Sequence, residues 1–288
     1  MKLIETHIVL KGSPKVRMSD ISAGTFHTIT SRKSFKKAIK TGLVKLNNSK
    51  AFTADFVTEG DVITIHKDES VSKKPSIHIP IDILFEDDYL AIINKPAGVE
   101  VSGNKKYTIE NALPSLLKKS IQKDALERPL PAHRLDYPTS GCLLISKASE
   151  TLQALHLLFE ERNITKKYLA VTIGHQATEG KIDEPIDGKP SLSSFKVLQT
   201  IPSKKYDALN LVELTPHTGR RHQLRKHMAH IGHPIFGEKA YGIPENQGRG
   251  NGLYLQATFL EFKHPIMQDV ISITAPISKK IAALFPEI

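Results

Sequence analysis

The 288-residue sequence contains no tryptophan and a single cysteine, Cys142. One thiol cannot form an intramolecular disulfide or a cysteine-cluster metal site, which is typical of a reducing compartment. No apolar run approaches the roughly 20 residues that cross a bilayer. The N-terminus also lacks the apolar stretch that follows the positive charge of a secretory signal. We therefore expect a cytoplasmic protein that does not associate with a membrane.

Acidic residues are fewer than basic residues in this sequence. Lys and Arg number 40 against 30 Asp and Glu, which gives a formal net charge of +10. Such an excess favours anionic partners, although general solubility is an equally good explanation of net charge alone. Aromatic residues make up only 6% of the chain, and no basic amphipathic helix carries bulky aromatic anchors. If the charge is functional, a polynucleotide is a better partner than a membrane surface.

A small unit is predicted between residues 31 and 67. Ser31 or Ser34 can cap a short helix whose apolar residues share one face, and Gly42 is a typical helix stop. Two strand-like segments follow, and the polar run up to Pro75 is typical of a linker. Residues 1–30 are expected to be the ragged beginning of this unit or poorly ordered.

From residue 76 onward the pattern changes to strands and helices without an internal repeat. The strand candidates are residues 81–85, 90–94, 142–146, 168–173, 194–198, 209–214, 254–262 and 270–274, and the helix candidates are 109–119, 150–162 and 219–231. Several strands follow one another with no helix between them, unlike a strictly alternating parallel sheet. We predict an α+β fold with two domains. Residues 1–75 form a small α+β domain and linker, and residues 76–288 form a large mixed, mostly antiparallel sheet with flanking helices.

The most informative run is residues 133–141, which joins a basic pair, one carboxylate and a Pro-Thr-Ser-Gly turn before an apolar strand. Loops held by a rigid sheet often carry functional residues. An ordinary turn remains the alternative, with Asp136 bonding a backbone N–H or pairing with Arg134. Nucleophilic acyl transfer is disfavoured because Ser140 does not lie in a Gly-x-Ser-x-Gly elbow.

A second run, residues 215–234, places many basic side chains near the start of a predicted helix. Arg221 and Arg225 are four residues apart and share a face, which predicts either a phosphate-binding surface or a solvated charged face. The histidines do not predict zinc, because no His-Glu-x-x-His pair and no nearby cysteine is present. In a third run, Tyr168 follows two lysines and is either a half-buried core residue or a platform on which a base stacks.

These runs together resemble the RluA-type pseudouridine synthases. The family's His-Arg-Leu-Asp…Thr-Ser-Gly signature matches residues 133–141, its Lys-x-Tyr-x-Ala segment matches 166–170, and its Thr-Gly-Arg-x-His-Gln-(Ile/Leu)-Arg-x-His helix matches 218–227. Weaker matches are a Lys-Pro-Ala-Gly segment at 95–98 and a Phe-Lys-His-Pro segment at 262–265. The unit around residues 31–66 is similar to the small alpha-L RNA-binding module often fused before this catalytic domain.

The resemblance implies an enzyme that isomerises uridine within RNA, with neither cofactor nor metal. The C1′–N1 bond breaks, the uracil turns, and C5 bonds to C1′ after the nucleotide has been flipped into a pocket. The expected partner is RNA, with ribosomal RNA favoured and tRNA as the alternative. We expect a monomer with no obligate protein partner.

The resemblance also implies roles for individual residues. Asp136 is the catalytic carboxylate, either as nucleophile at C1′ or as base at C2′. Arg225 pairs with Asp136 through a planar two-point hydrogen bond and keeps it ionised, while Tyr168 stacks on the uracil and assists removal of the C5 proton. The implied RNA contacts are Arg134, which fills the gap left by the flipped base, and His133, Lys167, Arg220 and Gln223.

Two other functions remain open from the sequence. An RNA-base glycosylase usually needs two acids, and no second acid lies near Asp136 in sequence, although Asp183, Glu184 or Glu213 can approach it in space. A catalytically inactive RNA-binding protein of the same fold is the other alternative. The presence of Asp136, Tyr168 and Arg225 argues against that loss of activity.

Overall fold

A computed structural model describes residues 1–21, 25–26, 28–29, 31–67, 76–242 and 252–287. The chain divides into two units, Met1–Lys74 and Pro75–Ile288. Beyond Lys67, the predicted linker lies outside the described residues. Within the described ranges, no helix has both the length and the apolar character required to cross a membrane.

Among its described residues, the first unit contains one α-helix and six short strands. In chain order these are β1 (Lys2–Ile8), β2 (Val16–Arg17), α1 (Arg32–Lys40), β3 (Val44–Leu46), β4 (Ser49–Lys50), β5 (Phe56–Val57) and β6 (Val62–Lys67). The strands β1-β6-β3-β4 form one antiparallel sheet in that order, and β2 pairs with β5. Phe35 and Ile39 on the buried face of α1 pack with Ile63 and Ile65 of β6 to form the core.

Local sequence chemistry accounts for α1 and the hairpin that follows. Ser31 caps the helix by accepting from the Ser34 backbone N–H, and the Ser34 hydroxyl accepts in return from the Ser31 backbone, so the predicted helix is confirmed. Asn47 and Asn48 form the two-residue turn between β3 and β4 with φ of 48° and 67°. Asparagine tolerates this left-handed conformation, which matches the twist of a tight hairpin.

The expectation of a ragged beginning is wrong for β1. This strand pairs with β6 over its whole length, from Lys2 opposite Lys67 to Ile8 opposite Val62. Apolar residues such as Leu3 and Ile4 occupy both faces of β1, so the sequence has no clean period-two alternation. The pairing with a distant strand therefore determines its conformation.

In the second unit, the described residues form ten further strands and four helices. They are β7 (Asp82–Glu86), β8 (Leu90–Lys95), α2 (Ile109–Leu116), β9 (Ala125–Pro131), β10 (Ser140–Ala148), α3 (Ser149–Glu160), β11 (Ile164–Ile173), β12 (Glu179–Ile182), β13 (Ser193–Ser203), β14 (Asp207–Pro216), α4 (Gln223–His230), β15 (Leu255–Lys263), β16 (Val270–Thr274) and α5 (Lys279–Ala282). The main path of the sheet is β12-β13-β14-β11-β15-β10-β8-β7, with β16 beside β15 and β9 beside β10. Among the described pairs of this sheet only β10 and β15 run parallel, which confirms the predicted mixed, mostly antiparallel sheet.

The parallel contact between β10 and β15 lies directly after the 133–139 segment. It requires glycine at position 141, because a Cβ built there would lie 2.0 Å from the Ala257 carbonyl oxygen. Gly141 also has a φ of 110°, which other residues rarely adopt. The close crossing therefore anchors the end of the loop that carries Asp136 to the buried centre of the sheet.

Candidate active site

Asp136 lies in the loop between β9 and β10, and a buried lysine holds this loop. The Lys95 Nζ at the end of β8 donates to the carbonyl oxygens of Thr139 at 2.7 Å, Pro96 at 2.9 Å and Tyr137 at 3.4 Å. Burial lowers the pKa of Lys95 to about 8, while the nearby Asp136 opposes that shift. The ammonium is therefore charged at neutral pH and fixes the backbone on the C-terminal side of Asp136.

Each oxygen of the Asp136 carboxylate faces a different nitrogen. Arg225 Nη1 lies 3.5 Å from Oδ2, and His222 Nε2 lies 3.6 Å from Oδ1. The Asp136 side chain is 15% exposed, so it is shielded but still reachable. Both distances exceed those of ordinary hydrogen bonds. The carboxylate is therefore oriented by two donors without being clamped by either.

The two-point hydrogen bond of Arg225 goes to Glu238. Arg225 Nε and Nη2 donate to the two carboxylate oxygens of Glu238, each at 2.7 Å, and the Ala240 backbone N–H donates to Glu238 Oε1 at 2.8 Å. Burial raises the pKa of Glu238, but these hydrogen bonds outweigh it and lower the pKa overall. The expectation of a two-point bond to Asp136 is thus wrong. The buried Glu238 carboxylate holds the Arg225 guanidinium, and the remaining guanidinium nitrogen, Nη1, faces Asp136.

Helix α4 begins at Gln223, four residues later than predicted. Gln223 is buried; its Oε1 accepts from Thr218 Oγ1 and the Arg220 N–H, and its Nε2 donates to Leu192 O and Ser193 Oγ. These four bonds hold residues 218–222 in a non-helical turn. Arg221 consequently lies outside the helix and is exposed, so the prediction that it shares a helix face with Arg225 is wrong.

The last residue of this turn, His222, has a left-handed backbone with φ of 56° and ψ of 26°. This conformation costs a non-glycine residue on the order of 1–3 kcal/mol and persists only where the surrounding structure imposes it. His222 Nδ1 lies 2.6 Å from the Tyr241 hydroxyl. Burial lowers the pKa of His222 despite the opposing attraction of Asp136, so the ring is neutral at neutral pH.

Tyr168 lies on β11 and packs against the apolar clusters that contain Leu135 and Leu224. Burial raises the pKa of Tyr168 well above its usual range, and Asp136 and Cys142 add to that shift. Tyr168 is therefore a neutral phenol that shares the environment of Asp136. The structure thus brings together all three residues that the sequence analysis assigned to catalysis.

Comparison with known proteins identifies related enzymes. A family described as RNA pseudouridylate synthase matches residues 89–230. The tRNA pseudouridine synthase C of Pasteurella multocida is 35% identical over 228 residues, which is 69% of this chain and 93% of that protein. The ribosomal large subunit pseudouridine synthase D of Buchnera aphidicola is 35% identical over 292 residues, which is 90% of each chain.

The chain belongs to the RNA pseudouridylate synthase family. It is of the RluA type, as the sequence motifs predicted, since the dual-specificity RNA pseudouridine synthase RluA of Pasteurella multocida is 35% identical over 223 residues. That match covers 72% of this chain and 97% of the relative. The structure of human RNA pseudouridylate synthase domain containing 4 superimposes with a TM-score of 0.58 at 25% identity, covering 69% of this chain and 90% of the human one.

In this RNA pseudouridylate synthase, two residues expected to contact RNA make hydrogen bonds within the protein. Gln223 is buried with its amide fully bonded as described above, which corrects that expectation. His133 Nε2 accepts from the Leu144 backbone N–H at 3.0 Å, and its ring packs on Phe159. Burial and the nearby Lys166 lower the pKa of His133 to about 3, so its ring is neutral. His133 supports β10, and its contact with RNA stays a prediction.

The other three residues expected to contact RNA are at least partly exposed to solvent. Arg134 is exposed on the loop and lines a cavity of about 380 Å³ beside it. Lys167 is 40% exposed and pairs with Glu213 at 3.2 Å. Arg220 donates from Nε to the Pro190 carbonyl oxygen at 3.1 Å and is half-buried. Contact of these side chains with RNA also stays a prediction.

The sequence analysis missed His222, Glu238, Tyr241 and Lys95 as residues of the site in this synthase. His222 and Lys95 belong to recognised motifs, but their types alone do not indicate what they bond to. Glu238 follows Gly237, where a Cβ would lie 2.1 Å from the Gly252 carbonyl oxygen. That Gly-Glu pair after the apolar residues Ile235 and Phe236 was the available signal. Among the residues that the structure describes, no three His, Cys, Asp or Glu side chains converge as a metal ligand set.

Proposed function

We propose that this RNA pseudouridine synthase uses Asp136 as its single catalytic carboxylate, on uridines of ribosomal RNA. Membership of the family gives the general reaction, isomerisation of uridine in RNA. The observation that carries the assignment is the Asp136 carboxylate, which faces Arg225 and His222 at 3.5 and 3.6 Å while remaining partly accessible. It acts as a monomer in the cytoplasm.

The reaction replaces one bond to the sugar by another. The C1′–N1 bond breaks and a C1′–C5 bond forms, while the proton lost from C5 is balanced by one gained at N1. Asp136 acts either by attacking C1′, which forms a covalent intermediate, or by removing the C2′ proton. In both cases the charge on its carboxylate changes during the reaction. Arg225, fixed by Glu238, provides a preorganised positive charge beside that change.

A glycosylase with two carboxylates fits the site less well. The second acid near Arg225 is Glu238, and its oxygens are occupied by Arg225 and the Ala240 amide. A general acid needs a raised pKa, whereas the pKa of Glu238 is lowered. Glu213 forms an ion pair with Lys167, and a Glu184 carboxylate oxygen lies 3.7 Å from His230 Nε2. These contacts support isomerisation by one carboxylate.

Tyr168 supports the reaction as a neutral phenol. Its raised pKa makes the phenolate costly, so we assign it to stacking on the uracil and to hydrogen bonding through its hydroxyl. Arg134 is exposed two residues before Asp136, and a planar guanidinium can stack where a flipped base has left the helix. Together these residues bind and orient the flipped nucleotide.

We assign RNA binding to the first unit as well. The exposed face of α1 carries no acidic residue and five basic ones, Arg32, Lys33, Lys36, Lys37 and Lys40. Phe56 is 50% exposed, with Lys15 Nζ at 4.8 Å and Arg17 Cζ at 5.7 Å from its ring centroid. Exposed aromatic rings among cations are typical of surfaces that stack bases and contact phosphates.

Coverage of the relatives supports ribosomal RNA as the substrate. The two Pasteurella relatives named for tRNA or dual specificity match about 70% of this chain but more than 90% of themselves. They therefore have no counterpart to much of this chain. The ribosomal large subunit synthases D and C of Buchnera match 90% and 85% of this chain and equal shares of themselves.

The decisive experiment maps pseudouridine in ribosomal RNA and tRNA from a strain lacking the gene. The expected result is loss of one or more pseudouridines from ribosomal RNA, restored by the wild-type gene and not by Asp136→Asn. Loss confined to tRNA overturns the substrate assignment. Restoration by Asp136→Asn overturns the catalytic assignment. A truncation lacking residues 1–75 tests the first unit, since unchanged RNA affinity at fixed salt contradicts its role.

A further inference from the structure

His222 occupies a place in the site that the proposed mechanism does not yet use. Its imidazole joins the Tyr241 hydroxyl, 2.6 Å from Nδ1, to the Asp136 carboxylate, 3.6 Å from Nε2. Its backbone is held in the left-handed region, an unfavourable conformation that recurs at functional sites. Gln223, at the next position, is fixed by hydrogen bonds on both sides of its side-chain amide.

The hydrogen-bond partners of the two ring nitrogens determine the tautomer. An ionised Asp136 carboxylate only accepts, so the nitrogen facing it, Nε2, carries the proton. Nδ1 then accepts from the Tyr241 hydroxyl. The Tyr241 ring is itself held over the Arg225 guanidinium, with Cζ 5.3 Å from the ring centroid. The direction of hydrogen bonding therefore runs from Tyr241 through His222 to Asp136.

We propose that His222 is a positioning residue for the isomerisation, which donates from Nε2 to the Asp136 carboxylate when substrate binds. The present 3.6 Å separation is longer than a hydrogen bond, but such contacts commonly tighten only in the substrate complex. Arg225 supplies a permanent charge to Oδ2, whereas His222 supplies a neutral donor to Oδ1. The inference rests on the proposed catalytic role of Asp136.

Neutrality of His222 matters to this role. A protonated imidazolium would pair with Asp136 as a second cation and hold the carboxylate away from the sugar. Burial is the main reason for the lowered pKa; Arg225 and Arg221 also lower it, and Asp136 and Glu238 oppose them. The Tyr241 hydroxyl, donating to Nδ1, further favours the neutral ring. The single-turnover rate should therefore fall in acid as His222 becomes protonated.

The test measures single-turnover rates and RNA affinity on one RNA between about pH 5 and about pH 8. His222→Leu removes the donor and should slow the reaction by at least about tenfold, or ~1.4 kcal/mol of barrier, without changing affinity. His222→Gln keeps an N–H donor that does not titrate. It should react within about threefold of wild type at neutral pH and lack the part of the acid decline that His222 causes. The matched control is His230→Gln, on the exposed end of α4, which should behave as wild type.

Tyr241→Phe provides an independent test if His222→Leu does not fold. Loss of the hydroxyl raises the pKa of His222, so the acid decline should move toward neutral pH. A His222→Leu rate equal to the control, an unchanged acid decline in His222→Gln, or an unmoved decline in Tyr241→Phe overturns the inference. Asp136→Asn keeps the two proposals distinguishable. If Asp136→Asn is inactive while the His222 variants react normally, the positioning role of His222 is overturned and the catalytic role of Asp136 stands.

Discussion

Cations serve different purposes in the two units of this chain. In the Pro75–Ile288 unit, Lys95 and Arg225 are buried and bonded to protein acceptors around Asp136. In the Met1–Lys74 unit, the cations of α1 and those around Phe56 lie on the surface. A buried charge must be paired where it lies, so it positions other groups. An exposed charge remains available to phosphates.

The comparison predicts different consequences of substitution. Removing one partner of a buried ion pair typically costs about 3–5 kcal/mol because a charge is left uncompensated. Exposed pairs contribute about 0–1 kcal/mol and are screened by salt. Changes to the buried cations of the second unit should therefore alter turnover or stability, and changes to the exposed cations of the first unit should alter RNA affinity and its salt dependence. Residues 1–75 hold 14 Lys and Arg against 7 Asp and Glu, which is +7 of the +10 net charge.

The largest effect is expected for Asp136→Asn, which should abolish turnover. The side chain keeps its shape and loses the anionic group, so a reduction of at least about 1,000-fold, or ~4 kcal/mol, is expected. RNA affinity and thermal stability should stay close to wild type. Asp207→Asn, at the exposed first residue of β14, is the matched control. Retention of a tenth of wild-type turnover would remove Asp136 from the catalytic role.

Lys95→Met should change stability in a pH-dependent way. Its folded pKa of about 8 lies below the ordinary value of 10.5, so between these values the unfolded chain binds more protons and stability rises with pH. Denaturant unfolding should show the advantage of wild type over Lys95→Met growing by up to roughly 3 kcal/mol from pH 8 to pH 10.5. A constant difference across that range would contradict the burial of a charged Lys95. Lys279→Met, on α5, is the control.

Arg225→Lys tests whether the buried Arg225 guanidinium acts on the chemistry at Asp136 or on RNA binding. Lysine keeps the charge but cannot bond both Glu238 oxygens and reach Asp136 as a planar guanidinium does. Single-turnover chemistry should slow by at least about tenfold, or ~1.4 kcal/mol, with RNA affinity changing much less. Glu238→Gln leaves Arg225 in place and should slow chemistry in the same direction. Normal chemistry with weakened binding would assign Arg225 to phosphate contact.

The smallest effect is expected for Phe56→Ala in the first unit. Loss of one stacked base is worth about 1 kcal/mol at the lower end of measured values, so RNA affinity should fall about fivefold. Turnover at saturating RNA and stability should be unchanged, since the ring is half exposed. Ile121→Ala, at an exposed site in the second unit, controls for loss of apolar surface. Equal affinities of both variants and wild type would separate Phe56 from RNA binding.

Short-range chemistry made much of the molecule predictable. The Ser31 capping box, the Asn47-Asn48 turn and the continuous apolar runs in β8, β10 and β11 act over a few residues, so their elements followed from the sequence. The motifs also predicted the Asp136 loop, Tyr168 and Arg225. The same local patterns misplaced the start of α4. Gln223 bonds to Leu192 and Ser193 on a different strand, and a helical pattern does not contain that competing partner.

By itself the sequence determined the family and the mostly antiparallel α+β fold, and it predicted the central role of Asp136. Only the tertiary structure decided which partner each charged group takes. The Arg225 guanidinium donates to Glu238. The His222 imidazole faces Asp136, and the His222 backbone is left-handed. These contacts join segments that fold back from distant parts of the chain. Burial and hydrogen-bond geometry select among several chemically equivalent partners, and neither quantity is encoded in local periodicity.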